Sequence, residues 1–259
     1  MHLKLTLLFL IVFQIGAAQQ YGSVIIEAGE VDANNEVYRV GNNYVFNYEI
    51  IQHGKKLKLK RNKGMFASTD FELVTSTTKN IEVDKIRLIV QQVSDAERTN
   101  KGQTEISYIQ EPLSRGMSST GLVDNSKNIW LHPIRTGFFN ALETAPFPFI
   151  KKPLMVGTEW SDKMLIGEPW GNELWGKWEG HLLLSYHYKV TAMEVLKSGV
   201  GDIECYIIES SAKSELGETK LKSYFSTIYG FVRMEYELLN SLKVNFWLID
   251  YKPNHAFKN

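Results

Sequence analysis

Cysteine is nearly absent: Cys205 is the only one in 259 residues. A single thiol cannot form an internal disulfide, so a buried core has to hold the fold. Cys205 lies in the apolar run IECYII, which points to an inert buried thiol rather than a nucleophile. Excess charge is missing too. Basic and acidic residues each number 29, which leaves no concentrated basic surface for a nucleic acid. The local basic run KKLKLKRNK (55–63) alternates leucine with lysine, the pattern of a strand with one solvated face. The spacings that announce common chemistries are also lacking. No HExxH or HxH is present, and His181 and His187 lie roughly 20 Å apart along one strand face, too far to share a metal. RGMSSTG (115–121) fails the spacing of a Gly-x-Ser-x-Gly elbow, and Gly199-Val200-Gly201 lacks the third glycine of a dinucleotide loop. Glu159 and Asp162 read as surface residues at a turn. No metal, cofactor or catalytic constellation is expected.

Only one long apolar run is present, and it opens the chain. MHLKLTLLFLIVFQIGAAQQ has a basic start at Lys4, an apolar stretch from Leu5 to Ile15, and small residues before Gln19. This is the build of a signal peptide cut after Ala18. The run is shorter than the ~20 residues a spanning helix needs. No cysteine follows it to carry a lipid. The expectation is an exported protein, periplasmic or secreted, with residues 19–259 as one β domain and no membrane span. Two packed halves meeting near 111–155 are the alternative organisation.

What the chain has in quantity is alternation with period two. In YVFNYEI, Tyr44, Phe46, Tyr48 and Ile50 share one side. In WEGHLLLSYHYKV, Trp178, Leu182, Leu184, Tyr186, Tyr188 and Val190 oppose Glu179, His181, Ser185, His187 and Lys189. Such runs describe sheets with one buried and one wetter face, which antiparallel sheets tolerate best. Strands are expected near 22–28, 43–52, 55–60, 70–77, 83–93 and 103–109. A meander should follow near 178–197, 202–214, 218–227, 230–238 and 243–252. Glycine-bearing turns such as HG (53–54), NKG (62–64) and SGVGD (198–202) separate them. The fold class is all-β: a mainly antiparallel curled sheet or open barrel, with one short helix and a proline-rich strap inserted.

That insertion is NIWLHPIRTGFFNALETAPFPFIKKP, residues 128 to 153. Pro133 suits a first helical turn, and Ile134, Phe138 and Leu142 recur four apart, so a helix is predicted over 133–143. Pro146, Pro148 and Pro153 then impose an extended strap that presents Phe147 and Phe149 to a neighbouring surface. Helix and strap should cover a sheet face or one barrel end. His132 and Arg135 are candidate site residues, because histidine exchanges protons near neutral pH and arginine holds carboxylate or phosphate in a fork. GEPWGNELWGKWEGH (167–181) sets Trp170, Trp175 and Trp178 among four glycines, a candidate surface for sugars or an apolar partner. Alternatively, Trp175 and Trp178 anchor the following strand and Trp170 alone lies on the loop. His53 and His255 look incidental.

Several of these features resemble a family of exported bacterial β proteins of Bacteroidetes type, a domain of unknown function. They are the GTEW turn (157–160), GDIECYII (201–208), YFSTIYGFVRMEY (224–236), IWLHPIR and PFPFIKKP. The resemblance centres on the C-terminal half. It implies a periplasmic antiparallel sheet curled into an open barrel and supplies no catalytic residues. The chain departs from lipid-anchored members in having no lipidated cysteine. The leading expectation is a non-catalytic cell-envelope protein that binds an apolar or amphipathic ligand, or a protein partner, in the sheet concavity. Trp130, Phe138, Phe139, Phe147 and Trp170 would stand near its mouth, and apolar pockets of this kind are the usual barrel site. The alternatives are a carbohydrate-binding module using the tryptophan loop, and a hydrolase centred on His132 and Arg135. The balance leans away from an enzyme, and the partners to expect are a lipid, a glycan or an envelope protein.

Overall fold

Period-two patterning in the sequence becomes one antiparallel sheet of fourteen strands in the computed structural model, which describes residues 23–27, 29–61, 70–77, 82–112 and 117–254. The expected signal peptide (1–18), the NKG turn at 62–64 and His255 lie outside the described residues. The strands are β1 (Asn43–Gln52), β2 (Lys55–Leu59), β3 (Leu73–Thr75), β4 (Lys85–Val90), β5 (Thr104–Glu111), β6 (Ser118–Asp124) and β7 (Asn128–Leu131). Then come β8 (Phe149–Lys151), β9 (Glu159–Gly167), β10 (His181–Ser198), β11 (Gly201–Ser214), β12 (Gly217–Ser226), β13 (Gly230–Glu237) and β14 (Leu242–Lys252). Their order in space is β8-β7-β6-β5-β4-β1-β14-β13-β12-β11-β10-β9, with β2 and β3 extending from β1. Two meanders are thus joined where β1 pairs with β14, from Asn43↔Lys252 to Gln52↔Leu242.

The two ends of this order, β8 and β9, are consecutive in sequence, and the sheet curls until they meet. Phe149 of β8 packs edge-on against Trp160 of β9 and Tyr188 of β10, with ring centroids 5.8 and 5.5 Å away. The result is a nearly closed barrel with a seam held by side chains. Phe149 reaches rings on two successive strands, and among the described residues no backbone ladder joins β8 to β9.

Alternation decides which side chains go inside. On β1, Tyr44, Phe46, Tyr48 and Ile50 are all buried. On β10, Leu182, Leu184, Tyr186, Tyr188 and Val190 are buried, while His181, Leu183, His187 and Lys189 face out. A register shift between Val190 and Ala192 ends that pattern. Each buried aromatic or aliphatic side chain contributes about 1.5–3 kcal/mol, so the inward set supplies the stability that no disulfide provides.

The insertion differs from its expected form. A 3-10 helix covers Gly137–Thr144, preceded by Thr136 in extended geometry, and Pro133 stands outside it. Gly137 adopts a left-handed φ of 57°, which interrupts any helix continuing from Pro133. The single apolar face inferred from Ile134, Phe138 and Leu142 is also not what organises the segment. Phe138, Phe139, Ala141, Leu142, Glu143 and Thr144 are all buried, because the segment lies within the barrel rather than across its outside. Phe139 sits between Tyr48 and Phe246, at 5.6 and 5.5 Å.

A dry interior demands partners for backbone groups, and the strap finds them. His132 N–H donates to Gly121 O, and Leu131 N–H to Pro148 O. Tyr108 Oη donates to His132 O at 2.7 Å, and Thr219 Oγ1 to Thr144 O at 2.8 Å. Prolines suit such a place because they bring no N–H that needs a partner. Residues 23–27, expected as part of a strand, are not one. Instead Asn128 Oδ1 accepts from Ile25 N–H, and Asn125 Nδ2 donates to Ile25 O. Glu159 and Asp162, expected at a turn, lie in β9.

Candidate functional site

The strap carries the chain's most unusual polar arrangement. His132 and Glu143 are both 0% exposed, with Nε2 and Oε1 3.6 Å apart. His132 Nδ1 lies 2.8 Å from Pro133 O, and a carbonyl oxygen can only accept, so Nδ1 carries the ring proton. Nε2 therefore turns its lone pair toward Glu143. Burial pushes His132 down to about 3, with the Arg135 charge adding to the effect and the Pro133 bond opposing it. The ring is neutral over the physiological range, and its contact with Glu143 is not an ion pair. Trp130 and Phe147 flank it with ring centroids 5.6 and 4.8 Å away.

Arg135 leaves this knot for the surface. Its guanidinium carbon lies 5.7 Å from the centroid of Trp170, which is half-buried on the loop after β9. Trp175 is buried and donates Nε1–H to Trp170 O at 2.9 Å. It stacks on Phe71 with centroids 5.9 Å apart, and Phe138 meets it edge-on. Trp178 is also buried. Of the three loop indoles, Trp170 alone offers surface to a partner, and Arg135 shares that surface.

The eight residues singled out from the sequence thus fall into one connected region. Trp130, His132, Phe138, Phe139, Phe147 and Trp175 are interior; Arg135 and Trp170 lie at its rim. The six fill the concavity rather than line an opening. Between the strap and the walls of β1, β4 and β13 a cavity of about 20 Å³ remains, bounded by Phe46, Leu88, Ile134, Leu142, Pro148 and Tyr236. That is room for about one water.

Lys58 and Cys205 are also shifted in acidity. Burial lowers Lys58 to about 8 against the pull of Glu82, Asp84 and Glu49. Its Nζ lies 3.9 Å from the Tyr48 ring centroid and donates to Asn47 Oδ1 and Asp84 O. Burial raises the Cys205 thiol to about 11, as expected for an inert cysteine. On the outer wall, His187 lies 3.6 Å from Glu159, which also holds Lys189 at 2.6 Å. Among the described residues no group of three or more His, Cys, Asp or Glu is placed to hold a metal. Sequence reasoning missed Glu143 and the Lys58 cluster. The one available signal for Glu143 was a single charged residue inside GFFNALET.

No family model matches the chain, and no curated protein matches it. Among solved structures, it is similar to a protein described as exported, with a YmcC-like fold, from Bacteroides fragilis. Identity is 12%, the TM-score is 0.47, and the match covers 85% of this chain and 99% of that one. A protein described as a lipoprotein from Parabacteroides distasonis matches at 12% identity and a TM-score of 0.42, over 83% and 97% of the two chains. The hypothetical lipoprotein YmcC from Escherichia coli matches at 11% identity and a TM-score of 0.38, over 82% and 86%.

Proposed function

We propose that this chain is a non-catalytic exported protein of the cell envelope that engages another protein through its outer surface. One observation carries the proposal: the strap occupies the concavity where a ligand would sit. A drug-sized ligand needs about 300–1,000 Å³, and the gap beside the strap is about 20 Å³. The same packing argues against catalysis at His132. A general base has to reach a substrate proton, and both His132 and Glu143 are sealed from solvent. The leader motif supports export.

Native mass spectrometry on the protein recovered from an envelope fraction tests this. The expected spectrum shows the mass of the polypeptide alone. A lipid that stays bound through desalting would overturn the filled-barrel account and restore the concavity as a ligand site.

A further inference from the structure

β9 ends the sheet, and its hydrogen-bond phase can be read from its two ends. Val190 N–H donates to Thr158 O, and Glu168 N–H donates to Gly180 O. With Glu159 opposite Lys189 and Gly167 opposite His181, the even-numbered residues exchange bonds with β10. The odd-numbered residues Glu159, Ser161, Lys163 and Leu165 therefore turn their backbone groups away from β10. Their side chains lie on the outer wall. Among the described residues β9 pairs with β10 alone, so its other edge carries no backbone ladder. A free edge of this length is a template for another strand.

Charge indicates which strand fits. Across five strands the outer wall carries a row of alternating sign: Glu159, Lys189, Glu209, Lys222 and Glu235 face one another in turn. The row stops at Glu159 on the edge, where the next strand would have to supply a cation. Lys163, on the same strand, has no ion-pair partner among the described residues. Exposed apolar groups flank both ends of β9. Met155 and Val156 precede it, and Leu165, 51% exposed, sits beside its cross-strand neighbour Leu183.

We propose that β9 pairs antiparallel with β9 of a second copy of this chain about a two-fold axis at Ser161, so that Glu159 faces the partner's Lys163 and Lys163 faces the partner's Glu159. Free backbone groups belong to odd-numbered residues, so odd must face odd. Centring on residue 163 sets two lysines opposite each other, and centring on 162 sets Glu159 against Leu165. Centring on 161 adds one cation to the end of the row on each side, the partner's Lys163 facing Glu159, before the uncharged Ser185 of β10 follows. It also brings Met155 and Val156 toward the partner's Leu165 and Leu183. One group has to be released: Asp162 Oδ1 accepts the Lys163 N–H at 2.8 Å in the single chain. A pairing confined to one edge is small, so the dimer is weak and concentration-dependent.

The proposal names the partner in the function proposed above and rests on it. Sedimentation of the mature chain in a loading series to about 1 mM is the test. Wild type is expected to move from monomer to dimer. Ser161→Pro removes an N–H that faces only the free edge, so it should leave the fold unchanged by circular dichroism and the protein monomeric. Glu159→Lys and Lys163→Glu should each be monomeric alone, because each sets like charges face to face. Mixed in equal amounts, they should form a heterodimer. Wild type that stays monomeric throughout, a folded Ser161→Pro that still dimerises, or a mixture no heavier than its components would overturn the second copy as partner. A retained lipid, by contrast, would overturn the underlying function and leave the sedimentation result unaffected.

Discussion

His132 is a histidine folded into a place where protonation is strongly disfavoured. Burial, reinforced by Arg135, holds it near 3, against an ordinary value of about 6.5. The unfolded chain takes up this proton below about pH 6.5, whereas the folded chain resists until about pH 3. The contribution to stability is therefore fully present above about pH 6.5 and is lost as pH falls toward 3. The slope in that window is about 1.4 kcal/mol per pH unit. Urea unfolding at pH 7 and pH 4.5 measures it. Wild type is expected to lose about 2–3 kcal/mol more than His132→Gln between those conditions. Equal losses in the two proteins would mean that the ring is not sealed. His132 and Arg135 were legible in the sequence because their chemistry stands out in an aromatic stretch. Their partner was not: Glu143 is eleven residues away, and no spacing rule connects the two across a 3-10 turn.

At the scale of elements, legibility followed exposure. The strands from β10 to β14 alternate because one face is wet, and their expected bounds lie within a few residues of those observed. β7 and β8 are buried on nearly every residue. The strap covers one face and the 23–27 segment contacts Asn125 and Asn128 near the other, so no alternation was left to read. β9 was hidden differently: Asp162 is half-buried on its inner side and Leu165 is exposed on its outer side, which blurs the pattern around a stretch that opens like a turn. The seam depends on this strand. Trp160 stacks on Tyr188 at 5.2 Å with planes 3° apart and meets Phe149 edge-on. Trp160→Ala removes both contacts while leaving every backbone bond between β9 and β10 in place. A large-to-small change of this kind typically destabilises by about 3–5 kcal/mol, and the loss should be felt first where side chains alone close the barrel. Hydrogen exchange is expected to accelerate across 149–152 and 159–167 well before β12 to β14. Uniform acceleration over the whole sheet would show that the seam is not a separately opening unit.

Over the whole molecule, the decisive contrast is between inside and outside. The pairing of β1 with β14 joins residues about two hundred positions apart, and nothing in local sequence announces it. The curl was inferred as a class and seen as a topology only in three dimensions. Once closed, the barrel has aromatic rings within and charge without. A barrel that spans an outer membrane has the reverse arrangement, with an outward apolar band about 25 Å tall. Here the outer faces of β9 to β13 carry Glu159, Lys189, Glu209, Lys222 and Glu235 side by side. Placing charges like Lys189 and Lys222 against hydrocarbon would cost about 2–4 kcal/mol each at the bilayer midplane. No helix of the described residues is long and apolar enough to cross a membrane either. Residues 19–259 are therefore expected to refold in aqueous buffer without detergent. In a density gradient with vesicles of phosphatidylcholine and phosphatidylglycerol it should stay at the bottom. Folded protein that floats with the vesicles would require an apolar outer belt, which the alternating charges on this wall contradict.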